Sequence, residues 1–196
     1  MLIDATVDTV SEFGIAETSI TRIVNRSGLS RGMIHLHFDN KQHLLVEAAR
    51  HMSDEYFAKM DRFLKSAGDD PQARLLAMIS ADLSEELLNR KNVNVWFAFR
   101  GEARLHNSFS RHSNTRDNAL QNMFIEVFRK LAAGQSESEI LARDAAHGTI
   151  ALLEGMWADY FLHSDAFDRD AAKRIILRFI SALFPGCFDL ADGKGK

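Results

Sequence analysis

The sequence predicts an all-α protein of about nine helices. Three observations carry that expectation. Only two prolines, Pro71 and Pro185, interrupt the 196 residues. No stretch alternates apolar and polar residues with the β-branched enrichment of a strand. Apolar residues recur instead three and four apart, the spacing that places them on one helical face.

The first helix is expected over about 2–13, where Ile3, Val7, Val10 and Phe13 share a face and Gly14 is the stop. Ser19 reads as the N-cap of a short second helix carrying Ile20, Ile23 and Val24, because its hydroxyl can take an N–H that the first turn leaves unpaired. Ser27-Gly28-Leu29 reads as a turn, and Ser30 as the cap of a third helix reaching about Leu36. Asp39 or Asn40 then caps a long fourth helix to about Leu64, with Leu44, Leu45, Ala48, Met52, Tyr56 and Met60 in helical register.

Gly68-Asp69-Asp70-Pro71 is the clearest break, and Pro71 suits the first turn of the next helix, where its missing N–H costs nothing. That helix is expected over about 71–88, and another over about 92–105 with the aromatics Trp96, Phe97 and Phe99. His106 to Asn114 reads as a polar connector into a helix of about 115–133. The last two helices, about 137–163 and 168–184, are parted by His163-Ser164-Asp165, and the terminal ADGKGK reads as frayed.

Hydrophobic residues make up 46% and charged residues 26%, a globular balance rather than a disordered one. No apolar run approaches the ~18 residues of a membrane span, and the start MLIDATVDTV lacks the layout of a secretory signal. Cys187 is the sole cysteine. It cannot form an internal disulfide, and a cytoplasmic location is expected. No H-E-x-x-H, nucleophile elbow or paired Glu-x-x-His helices occur. Neither catalytic residues nor a cofactor are therefore expected, and the chain is not read as an enzyme.

A net charge of −3 argues weakly against nucleic acid, but the average hides a switch in sign. Residues 1–18 hold Asp4, Asp8, Glu12 and Glu17 and no basic side chain, whereas 19–45 hold Arg22, Arg26, Arg31 and Lys41 against Asp39 alone. A local basic face is possible there. Two short helices joined by a glycine-containing turn have the dimensions of a helix-turn-helix. Gly28 can take the left-handed turn conformation, while Ile23 and Leu29 would plug the angle between the helices. Ser30, Arg31, Gly32 and Met33 would then form the exposed N-terminal turn that faces base edges. Gly32 would let the backbone come close, and Arg31 could pair with guanine or phosphate.

The run TSITRIVNRSGLSRGMIHLHFDNKQHLL, residues 18–45, resembles the DNA-binding domain of the TetR family of transcriptional regulators. Ser19, Ile23, Gly28, Ser30, Gly32, Ile34, His37, Phe38, Lys41 and Leu44 follow the family order without a gap. The resemblance covers about residues 2–48 and implies an all-helical dimer, with Ser19, His37 and Lys41 on phosphates and Arg31 to His35 in the groove. Arg22 joins these as a candidate contact. His35 stands where the family usually carries tyrosine, and His37 has the alternative of packing beneath the third helix. The chain begins almost inside its first helix, without the Arg/Lys arm such relatives carry, so a start further upstream is expected.

His35, His37 and His43 also invite a metal reading. On a helix, residues two apart point to different sides, whereas ligand pairs want a spacing of three or four. His43 falls on the next helix, and no metal site is expected.

The remaining 150 or so residues suggest a sensor and a dimer surface. In V-W-F-A-F-R-G-E, residues 95–102, Trp96 and Phe99 accompany Glu102. In L-L-E-G-M-W-A-D-Y-F-L, residues 152–162, Trp157 and Phe161 accompany Glu154 and Asp159. Both segments, with the opening L-I-D-A-T, resemble BetI-type regulators, the choline-responsive branch of the family. The resemblance implies a small-molecule effector such as a quaternary amine, whose charge is attracted to aromatic faces. The alternative for each aromatic is ordinary core packing.

Ala145, Gly148, Leu152 and Gly155 place small residues on one stripe of the penultimate helix, and Ile175, Ile176, Phe179, Ile180, Leu183 and Phe184 give the last helix a broad apolar face. Two such helices from each chain could build a four-helix dimer interface. The expectation is a homodimeric regulator that binds double-stranded DNA at a palindromic operator and is a repressor released by its effector. Residues 1–46 would form the DNA-binding domain and 47–196 the ligand-binding and dimerisation domain. The competing expectation is a helical protein-interaction adaptor without DNA binding.

Overall fold

A computed structural model describes the backbone of residues 1–103 and 107–188, and side chains for 1–102 and 117–188. Among the described residues nine helices occur and no strand. They are α1 (Leu2–Glu17), α2 (Ile20–Ser27), α3 (Arg31–His37), α4 (Lys41–Ala67), α5 (Pro71–Asp82), α6 (Arg90–Ala103), α7 (Asn107–Leu131), α8 (Ser138–His163) and α9 (Arg169–Leu183). None is long and apolar enough to cross a membrane.

The chain divides into two compact units, Met1–Ala58 with Asn89–Asp117, and Lys59–Leu88 with Asn118–Lys196. In the first unit, α1 is the hub. One of its faces packs Val7 and Val10 with Leu45 and Ala48 of α4 and Val95 and Phe99 of α6. Its N-terminal turns pack Leu2 and Ala5 with Ile23, Ile34 and Leu44, joining α1 to α2, α3 and the start of α4. Asn94 Nδ2 donates to Ser11 O at 3.0 Å, and Lys91 pairs with Asp8 at 2.5 Å, fixing the register of α6 against α1. Gly14 breaks α1 as expected, at φ 72° and ψ 173°, values a side chain would oppose.

In the second unit Phe124 and Phe128 of α7 stack on one another at 6.4 Å, and Phe128 stacks on Phe184 at 5.5 Å. Met60, Leu75, Ile79, Ala142, Ala145, Ile176 and Ile180 of the same unit are fully buried. Asp70 and Asp168 cap α5 and α9 by accepting from Ala73 N and Ala171 N at 2.7 and 2.9 Å.

Two boundaries differ most from expectation. α5 ends at Asp82 instead of running to about 88, although Leu83, Leu87 and Leu88 beyond it are buried. The cause is tertiary. Arg169 of α9 donates to Leu83 O at 2.5 Å and Leu88 O at 2.7 Å, so both carbonyls are satisfied from outside and the backbone turns between them. α7 begins at Asn107 rather than about 115; residues 107–114 include one large apolar residue, Phe109, too few for a helical period to show in the sequence. His106 and the ADGKGK tail lie outside the described residues.

Candidate nucleic-acid interface

The reader is assembled from short-range bonds. Ser19 Oγ accepts from Arg22 N at 3.2 Å and starts α2. Gly28 ends it at φ 69°, in the left-handed region, with its N–H on Val24 O at 3.0 Å. Ser30 Oγ then accepts from Met33 N at 3.4 Å and starts α3. Ile23 and Ile34 are both fully buried in one apolar cluster with Leu2, Ala5 and Leu44, which holds the two helices across the turn.

With Ile34 turned inward, Arg31, Gly32, His35, Leu36 and His37 are exposed and Met33 is half-buried. Arg31 Nη2 donates to Thr21 Oγ1 at 2.9 Å, drawing its guanidinium along the start of α2. Lys41 Nζ donates to Thr18 O at 3.0 Å, which seats its ammonium beside the end of α1. Arg22 lies over the Phe13 ring at 4.1 Å and 3.8 Å from Glu17, and Arg26 pairs with Glu12. The acidic first helix therefore partly neutralises the basic second one. His37 and Phe38 meet edge to face, as do Phe38 and His43, and His43 Nδ1 lies 3.4 Å from Asp39. Among the described residues no three His, Cys, Asp or Glu side chains are grouped as a metal site requires.

Two residues of this surface escape the sequence reading. Thr21 is ten positions from Arg31 and only the turn brings them together. Leu36 is 72% exposed on an otherwise polar surface. A signal existed for it: residues two apart on a helix differ by about 200° in direction, so Ile34 and Leu36 cannot both face the core.

The aromatic residues marked for an effector fall in different units: Trp96, Phe99 and Glu102 in the first, Glu154, Trp157 and Phe161 in the second. Phe99 is part of the α1–α4–α6 core. Half-buried Trp96 carries the Arg100 guanidinium over its ring at 4.5 Å, and Arg100 reaches Asp117 at 3.2 Å. Trp157 is buried and donates Nε1–H to Asp82 Oδ2 at 2.9 Å. Tyr160 has Arg169 above its ring at 5.2 Å, while Phe161 and Glu154 are exposed.

The stripe marked for dimerisation splits. Ile176 and Ile180 are fully buried within their own chain, where no partner can reach them. Gly148 is also used internally: a Cβ there would overlap the Phe179 ring, whose Cε1 would lie at 3.0 Å. Gly155 is exposed, with nothing among the described residues within 4 Å of a Cβ, and Leu152 and Leu183 are half-buried. Cys187 is buried, and burial first, then Asp70, raises its thiol pKa, which suits packing rather than reaction.

Capped helices crossing at a left-handed glycine, with one helix presenting its polar side to solvent, define a helix-turn-helix protein. Residues 2–48 match the family model of bacterial regulatory proteins of the tetR family, and residues 71–185 match that of the BetI-type transcriptional repressor C-terminal region. The chain belongs to the TetR family of transcriptional regulators, and its C-terminal region is of BetI type. An HTH-type transcriptional regulator BetI from Paraburkholderia phymatum is 30% identical over 184 residues, covering 93% of this chain and 90% of the relative. The crystal structure of a transcriptional regulator from Pseudomonas aeruginosa PAO1 superposes with a TM-score of 0.85 at 26% identity, over 94% of this chain and 89% of that one. A regulator from Saccharomonospora viridis in complex with choline shares the fold, with a TM-score of 0.78 at 20% identity over 92% and 93% of the two chains.

Proposed function

We propose that the chain is a homodimeric repressor that grips a palindromic operator through residues 19–45 of each protomer and is released by a small-molecule effector, a quaternary amine such as choline. In this reading residues 1–46 are the DNA-binding domain, 47–196 the ligand-binding and dimerisation domain, and the protein works in the cytoplasm. The carrying observation is the outward set Arg31, His35, Leu36 and His37 on a helix seated by buried Ile34. Ser19, Arg22, His37 and Lys41 take phosphates, while Ser30, Arg31, Gly32, Met33 and His35 face base edges.

Two half-sites one DNA turn apart need two recognition helices, hence two copies. Leu152, Gly155, Phe179 and Leu183 supply the dimer face, extended by Leu162 and Ile175, which are 69% and 49% exposed. Burial of such residues is the main favourable term in association. The quaternary-amine assignment rests on the BetI-type match of residues 71–185. Release requires the effector to prefer the DNA-incompetent state, typically by about 1–3 kcal/mol. Helix α4, which starts directly after the reader and contributes residues to both units, is the element that would transmit the change.

The test is fluorescence anisotropy on DNA from upstream of the protein's own gene, between about 50 and 200 mM salt, with and without choline. The expected result is sequence-selective binding that falls steeply with salt and weakens with choline. Sequence-blind binding overturns the regulator reading. Equal affinity of choline for free and operator-bound protein overturns the release mechanism.

A further inference from the structure

Among the basic residues of the reader, Arg31 differs in what holds it. Arg22 and Arg26 face carboxylates on α1, and Lys41 is seated on a backbone carbonyl. Arg31 is held by the hydroxyl of Thr21, a neutral acceptor that takes a single N–H. A guanidinium has five N–H donors in a rigid fork, so four remain after this bond. The ion keeps its full charge and a free edge, and the bond favours one orientation of it. Arg31 stands in the first turn of α3, directly after the Ser30 cap, and both Arg31 and Thr21 are exposed.

A constrained guanidinium at the start of a recognition helix matches one chemistry best. Guanine presents two acceptors, O6 and N7, on its major-groove edge, and an arginine fork engages both. A phosphate contact needs no such restraint, because charge alone attracts a flexible side chain. Building on the DNA-binding reading above, we propose that Arg31 reads a guanine in each operator half-site and that Thr21 is its positioning residue. Thr21 accepts from one edge of the guanidinium and leaves the other aimed at the base. The bond also restrains the ion before DNA arrives, which lowers the entropic cost of the contact.

The experiment starts from full-length protein and a pool of random-sequence duplexes. Selection by the wild type yields a preferred duplex, in which each guanine is then replaced singly by 7-deazaguanine, which lacks N7. At one guanine per half-site the replacement is expected to weaken wild-type binding about ten-fold, within the range of a good bidentate contact. Arg31→Ala should bind the parent and deaza duplexes equally. Thr21→Val, which keeps the shape and loses the acceptor, should lose most of the discrimination, and Thr21→Ser should retain it. Both positions are exposed, so thermal melts should be nearly unchanged.

Arg31→Ala retaining the wild-type preference at every guanine, with only a shallower salt dependence, would overturn the base contact and make Arg31 a phosphate ligand. Thr21→Val discriminating like the wild type would overturn the positioning role. Failure of the pool to enrich any sequence would sink the DNA-binding reading itself, and this inference with it.

Discussion

The indole N–H of Trp157 donates to the carboxylate of Asp82 at 2.9 Å across 75 positions of sequence, and the two residues are 6% and 4% exposed. The bond ties the C-terminal third of α8 to the last residue of α5, where that helix stops. A buried carboxylate needs its donors, and removing one leaves the desolvation cost behind. Trp157→Phe, which keeps a large ring and deletes the donor, should destabilise the protein by about 1–3 kcal/mol. Urea unfolding would measure it. A change under about 0.5 kcal/mol, the usual size of a surface substitution, would mean that the bond contributes little.

Gly148 and Phe179 make the second test. Any side chain at 148 collides with the ring across the α8–α9 contact. Gly148→Ala should therefore cost about 1–3 kcal/mol as an overpacked site, despite alanine's better helix propensity. Adding Phe179→Leu should recover part of that loss, and a double-mutant cycle reads the coupling. Full additivity would show that the ring moves aside freely.

Gly32 behaves oppositely. Among the described residues a Cβ there would meet only Ser30 Oγ, at 3.6 Å, an ordinary contact. The fold does not require this glycine, and glycine in a helix costs about 0.5–1 kcal/mol relative to alanine. Gly32→Ala should raise the melting temperature slightly while weakening operator binding, because the backbone can no longer approach the groove as closely. If binding were untouched, the first turn of α3 would not lie against DNA.

Glu139 carries a pH dependence. The Arg129 guanidinium, through its hydrogen bonds, and then Arg143 hold its carboxyl down to about 2 from an ordinary 4.5. A depressed folded pKa contributes stability that is present above about 4.5 and is lost as pH falls towards 2. The pair is exposed and screened, so the effect is small. Wild type and Glu139→Gln should differ in unfolding midpoint at pH 6 and converge by about pH 2. A gap that persists unchanged at pH 2 would refute the linkage.

The sequence was most legible where structure is local. Ser19, Gly28 and Ser30 act on backbone groups within four residues, so caps and turn could be placed without knowing what surrounds them. Ile23, read as a plug between the two helices, is likewise core. Legibility failed for polar helix and for contacts between distant residues. Residues 107–114 looked like a connector because their sequence carries no apolar period. Ile176, Ile180 and Gly148 looked available to a partner chain because period alone cannot say which neighbour covers a face.

By itself, then, the sequence determined the all-α class, the capped helix-turn-helix and the sign switch between α1 and α2, all consequences of short-range bonding and periodicity. Tertiary structure alone decided that Arg169 stops α5 at Asp82, that Phe179 occupies the space over Gly148, and that Thr21 takes hold of Arg31. Each of these joins residues ten or more positions apart. Such pairs meet only after the chain has packed, so no local pattern encodes them.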